Sequence, residues 1–167
     1  MTSSVTGEAA LHLELPVNVG GFNPEDYTAS LVIKDRISSR GAAITRAEAI
    51  RITMRGVGPS QRLHLTLMEK DGTSWTAIVT ADSAWRDYTV PLSEFHAARG
   101  VKLPLGYPGQ WNYWVDPASG RGGSGDSLRI ADVERLQLSM RREEGQKIAP
   151  GTYGVEVESV TLLFRKQ

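Results

Sequence analysis

The stretch Gln61-Arg-Leu-His-Leu-Thr-Leu-Met68 sets Leu63, Leu65 and Leu67 on one phase and Arg62, His64 and Thr66 on the other. The same period of two runs through Glu48–Arg55, where Ile50, Ile52 and Met54 alternate with Arg51, Thr53 and Arg55. It returns in Glu134–Arg141, where Leu136, Leu138 and Met140 alternate with Arg135, Gln137, Ser139 and Arg141. Successive side chains of a strand point to opposite faces, so strict alternation marks strands with one face in a core and the other turned to water. Leu11, Leu13 and Leu15 alternate likewise. Further strands are expected at Ala29–Lys34, Ser74–Thr80, Trp85–Leu92 and Tyr153–Arg165. The last run changes phase, from Val155 and Val157 to Val160, Leu162 and Phe164, which predicts a β-bulge or a strand buried on both faces.

Gly56-Val-Gly-Pro59, Asp71-Gly72 and Pro150-Gly151 separate the runs as turns. Helical periodicity is nearly absent. Ser93–Arg99 predicts a turn or two of helix, and Ile44–Ala49 is rich in helix formers but leads into a strand. The expected fold is all-β, an antiparallel β-sandwich of about 8–10 strands with little helix. The 167 residues form a single domain over 1–167, with 1–9 as a flexible N-terminal lead.

Composition narrows the function. Lys plus Arg and Asp plus Glu are both 19, so the chain lacks the excess positive charge that draws a protein to nucleic acid or an anionic membrane. Cysteine is absent, which removes disulfides, thiol catalysis and thiolate metal sites. No run approaches the roughly 20 apolar residues that span a bilayer. His12, His64 and His96 are scattered, without the spacing of a metal helix, and no GxSxG elbow is present. Glu143-Glu144 is the one adjacent pair of glutamates and sits in a charged turn. An enzyme is therefore not expected, with a small glycan hydrolase or lyase as the catalytic alternative.

The strongest local anomaly is Gly106-Tyr-Pro-Gly-Gln-Trp-Asn-Tyr-Trp-Val-Asp116, which concentrates Tyr107, Trp111, Tyr113 and Trp114. Sugars present C–H faces that aromatic rings cover and hydroxyl edges that amides, carboxylates and guanidiniums satisfy. Gln110, Asn112, Asp116, Arg121 and Asp126 lie in or beside the cluster, giving a candidate ligand site with the four rings. The alternative is that Trp111 or Trp114 plugs one end of the core. Ala118–Asp126 is Gly-rich but lacks the GK[ST] ending of a phosphate loop, so nucleotide binding is not expected. A second candidate is the wet strand faces, if these strands share a sheet. Arg51, Arg55, Arg62, His64, Gln137 and Arg141 would then line a surface suited to an acidic polysaccharide or to sugar hydroxyls. Its alternative is a solvated face of cross-strand ion pairs.

Four stretches carry a family resemblance. Asp71-Gly-Thr-Ser-Trp75 is followed by Trp85-Arg-Asp-Tyr-Thr-Val-Pro-Leu-Ser-Glu-Phe95. Leu128-Arg-Ile-Ala-Asp-Val-Glu-Arg-Leu-Gln-Leu138 and Gly151-Thr-Tyr-Gly-Val-Glu-Val-Glu-Ser-Val-Thr-Leu162 come next. Their order resembles the galactose-binding-like jelly rolls that serve as carbohydrate-binding modules beside glycoside hydrolases, over roughly Leu11 to Phe164. The same jelly roll occurs in a chaperone-like domain of respiratory-complex assembly. The resemblance implies a non-catalytic module that holds a polysaccharide-active enzyme on its glycan. It implies a poly- or oligosaccharide partner and a catalytic domain in a larger parent. It also implies a secreted or cell-surface location in a bacterial enzyme whose signal peptide is not in this chain. It further implies one structural calcium ion and no organic cofactor. Glu8, Glu14, Asp35, Glu156 and Glu158 are possible ligands, with Glu14 and Glu158 the first choice, although Glu158 stands where many relatives carry Asp. The alternative reading is a structural or protein-interaction β-sandwich that packs against a catalytic domain or a second copy.

Overall fold

The structure, a computed structural model, describes residues 2–3, 9–17, 27–58, 61–98, 120–140 and 151–165. Its strands are β1 (Thr2–Ser3), β2 (Ala9–Val17), β3 (Tyr27–Val32), β4 (Ala47–Val57), β5 (Gln61–Glu69), β6 (Ser74–Ala81), β7 (Arg86–Pro91), β8 (His96–Ala97), β9 (Val133–Met140) and β10 (Gly151–Phe164). They form two five-stranded antiparallel sheets, in the orders β1-β2-β10-β4-β7 and β3-β9-β5-β6-β8. The expected all-β sandwich is the observed fold. Within the N-terminal nine residues, Thr2–Ser3 pairs with Ala9 and Ala10 as an edge ribbon.

The core lies between the sheets and is filled by the alternating apolar residues. Ile50, Ile52, Met54, Val155 and Val157 come from one sheet, and Leu63, Leu65, Leu67, Trp75, Leu136 and Leu138 from the other. A helix, α1 (Lys34–Ser38), and a 3-10 segment (Gly41–Arg46) carry the chain from β3 to β4, burying Ile37 and Ile44. Among the described residues no helix is long and apolar enough to cross a membrane. The sheets are stitched where Gly56 at the end of β4 donates its amide to the Asp82 carbonyl just after β6. A Cβ at Gly56 would stand 3.2 Å from that carbonyl oxygen, so the close approach asks for glycine.

Two local expectations resolve differently. The phase change in the last strand is a β-bulge: Val157 pairs with Met54, Ser159 with Thr53, and Glu158 is the extra residue. By contrast, Ser93–Arg99 holds no α-helix in its described part. A 3-10 turn (Leu92–Glu94) with Phe95 buried leads into β8, which pairs with β6. The apolar anchor Phe95 and the available edge of β6 outweigh a weak local helix propensity.

The bulge yields a test. Deleting Glu158 restores regular alternation and keeps Val160 and Leu162 inward, so the fold should survive within about 1 kcal/mol, the usual range for a surface change. Val157→Ser instead removes a buried aliphatic side chain beside the bulge and should cost about 1.5–3 kcal/mol. Urea unfolding of both variants measures the contrast.

Candidate functional site

Register aligns the outward side chains of the second sheet into rows that cross its strands. One row runs Ser30 (β3), Gln137 (β9), Thr66 (β5), Thr76 (β6) and His96 (β8). Every member can donate and accept hydrogen bonds. The neighbouring row runs Ser139, His64 and Ile78. Strands lie about 4.8 Å apart, so the five-strand row extends about 19 Å.

Exposure across this face falls from its rim to the central strands. On the central strands Thr66, Gln137 and Ser139 are fully buried, although they face away from the core. Ser30, His64 and Thr76 are half-buried, while Ile78, His96 and Arg62 are exposed. Thr66 and Thr76 join hydroxyls at 2.7 Å. The buried hydroxyls of Ser30 and Ser139 find no hydrogen-bond partner among the described residues. A buried hydroxyl left unpaired costs about 1–3 kcal/mol. The polar groups of this face that reach solvent include His64, Thr76, Arg62 and His96. Arg62 on β5 and Arg135 on β9 lie toward opposite ends of the same face. No Phe, Tyr or Trp stands on it among the described residues.

The second candidate surface of the sequence reading does not form as one piece. Arg62, His64 and Gln137 share this face, but Arg51 and Arg55 lie on β4, in the other sheet. There Arg55 pairs with Glu156 and lies 5.1 Å from the Trp85 ring centroid, and Arg51 stands 4.0 Å from Asp87. That outer face is a lattice of cross-strand ion pairs. Gln137 is buried, not solvated. Alternation tells which residues avoid the core, but not which sheet a strand joins or how deep a face is. Arg141 lies outside the described residues.

Of the first candidate site, Tyr107, Gln110, Trp111, Asn112, Tyr113, Trp114 and Asp116 lie outside the described residues. Arg121 and Asp126 are described, and both are engaged by their neighbours. Arg121 donates to Glu69, to Asp71 at 3.2 Å, and to both oxygens of Asp126 at 2.5 and 2.6 Å. Glu69 is buried at the end of β5, where it also accepts from the Trp75 indole at 2.7 Å and the Arg129 amide at 2.8 Å. Asp126 accepts from the Gly122 amide at 2.6 Å. These bonds clamp the Gly-rich turn onto the β5–β6 hairpin, just after the aromatic segment in sequence.

The sequence reading missed Glu69, which looked like the end of a strand, and also Ser30, Thr76 and His96. Pairing β6 with β8 is what brings His96 onto the row. Glu14 faces Gly154 in the register, four positions along β10 from Glu158. Among the described residues no group of three or more His, Asp and Glu is placed to hold a metal.

The clamp makes two predictions. Arg121→Met leaves the buried Glu69 carboxylate without its counter-ion, and should cost about 3–5 kcal/mol by urea unfolding. The Gly122 amide is the main cause that holds the Asp126 carboxyl below its usual range, with Arg121 adding to it. Burial opposes ionisation of Asp71, but the Thr73 amide and Arg121 together outweigh it and lower that carboxyl too. Carboxyls lowered in the folded state stabilise it above the ordinary aspartate value of about 3.9, and that contribution is lost as pH falls through their lowered values. Stability should therefore drop below about pH 4, and the drop should shrink in Arg121→Met.

No family model and no curated protein matches the chain. Solved structures do. A family 11 carbohydrate-binding module, CtCBM11, studied in solution for structure, dynamics and binding, aligns with a TM-score of 0.51 at 16% identity, over 96% of this chain and 87% of that one. An exo-β-agarase aligns with a TM-score of 0.50 at 13% identity, over 99% of this chain but 22% of the agarase. The family 11 module from Clostridium thermocellum in complex with a β-1,3-1,4-mixed-linked tetrasaccharide gives 0.48 at 16% identity, over 95% and 85%. At these identities the likeness is one of fold, and the fold is the jelly-roll sandwich of carbohydrate-binding modules.

Proposed function

We propose that the chain is a non-catalytic carbohydrate-binding domain that holds an oligo- or polysaccharide in a groove along the outward rows of its second sheet. The observation that carries this reading is the pair of outward rows of hydrogen-bonding side chains, in which His64, Thr76 and His96 reach solvent beside Arg62. Sugar hydroxyls both donate and accept, which is what Ser, Thr, Gln and His side chains require. The fold shared with CtCBM11 supports the same class of ligand. Glycoside hydrolysis needs two facing carboxylates, and the described residues of this face include no Asp or Glu. Tyr107, Trp111, Tyr113 and Trp114 are proposed as a stacking platform that supplements the groove. Attachment to a secreted or cell-surface polysaccharide-active enzyme belongs to the same proposal. Its support is the agarase, of which a domain like this one makes up about a fifth.

Calorimetric titration of a glycan panel tests the reading. The panel includes a β-1,3-1,4-mixed-linked tetrasaccharide, agaro-oligosaccharides and an acidic glycan. His96→Ala changes an exposed side chain of the row, so it should leave the melting temperature unchanged. It should weaken glycan binding about 3–10-fold, the worth of one hydrogen bond. Trp111→Ala should weaken binding further, and Arg51→Ala in the other sheet should not. Failure of every glycan to bind would overturn the proposal, as would a His96→Ala that binds normally.

A further inference from the structure

The sandwich is open along one side. Leu31 faces inward in the register, opposite Leu136, yet it is 42% exposed. The pairing of β2 with β10 ends at Val157, immediately before the bulge, so β10 runs on with only β4 at its side among the described residues. Between β3 and this part of β10 lies a cavity of about 580 Å³. Leu31, Leu136 and Leu138 line one wall, and Val157, Val160 and Leu162 the other. Protein interiors are close-packed, with few voids larger than a water molecule. A cavity of this size is in the range of small-molecule sites, which are typically apolar with a few polar groups that fix orientation.

Its polar groups are asymmetric. Arg36 and Arg40 of the α1 region line the cavity, and both are exposed. Neither has an ion-pair partner among the described residues. Glu158 also lines it, on the β10 side. Guanidinium bonds carboxylate bidentately, and apolar walls favour an alkyl body. We propose that this lateral cavity binds a medium-chain alkyl carboxylate, with the chain between the sheets and the carboxylate on Arg36 and Arg40. The site is separate from the glycan groove, which lies on the opposite face of β9.

Calorimetry with decanoate, decan-1-ol and decylammonium, all below their aggregation concentrations, tests the assignment. Decanoate should bind at one site, at least about 10-fold tighter than the other two, because hydrogen bonds to charged groups are worth about 1.5–3 kcal/mol. Arg36→Gln combined with Arg40→Gln changes only exposed side chains and should remove that preference while leaving the decanol affinity unchanged. Leu31→Trp, at the exposed mouth, should abolish binding of both, with thermal melting and glycan titration confirming an intact domain. No saturable decanoate binding, equal binding of decylammonium, or indifference to Leu31→Trp would each overturn the proposal. A dimer in sedimentation that Leu31→Glu dissociates would also overturn it, by assigning the mouth to self-association.

Discussion

The pairing of β5 with β9 constrains both faces of its sheet at once. Leu65 lies opposite Leu138 in the core, so Thr66 must lie opposite Gln137 on the other side. A slip of one residue would send three leucines of β5 out of the core, at about 1.5–3 kcal/mol each. The polar row is therefore held in line by apolar packing behind it, not by its own hydrogen bonds. This matters for recognition, because groups held in place by a rigid sheet lose little freedom when a ligand arrives. The same pairing extends outward: β3 aligns Ser30 through β9, and β8 aligns His96 through β6.

Charge is arranged on a different principle. The neutral total conceals a division between an ion-paired outer face on the first sheet, a groove of mostly uncharged hydrogen-bonding groups on the second, and one buried cluster at the end of β5. That cluster sets three carboxylates, Glu69, Asp71 and Asp126, around the single guanidinium of Arg121. Burial alone would penalise the Arg121 cation, but its bonds to the carboxylates outweigh that penalty and favour the charged form. The cluster contributes geometry more than net stability, since taking charges out of water offsets much of the attraction between them. What it positions is the turn that follows the aromatic segment.

The sequence reveals the strands and their phase because alternation is local. Val155 and Val157 followed by Val160 and Leu162 disclose the bulge without any knowledge of the partner strand. Alternation is silent about partners, however. Arg51 and Arg62 carry the same signature and lie in different sheets, because the β4–β5 turn crosses the sandwich. It is equally silent about depth: Gln137 and Ser139 read as solvent-facing and are buried. Arg121 looked like a ligand contact because it stands beside the aromatic cluster. Its partner Glu69 is 52 residues away, and only the fold brings them together.

The bulge ties these observations to one another. An extra residue in one strand bends it and sharpens its twist. Before Glu158, β10 is paired on both edges, by β2 and β4, and its valines close the core. Beyond it, β2 no longer pairs with β10 while β4 continues, and Val160 and Leu162 still face inward with fewer opposing groups. A regular strand would have kept one edge geometry along its whole length. The cavity beside Leu31 opens next to the inserted residue, where the pairing of β2 with β10 ends. On the opposing sheet, Leu136 and Leu138 complete the cavity wall while Gln137 and Ser139, between and beside them, form the floor of the polar groove. Strand β9 therefore serves two surfaces of opposite chemistry, which only a period of two could place on one short run of sequence.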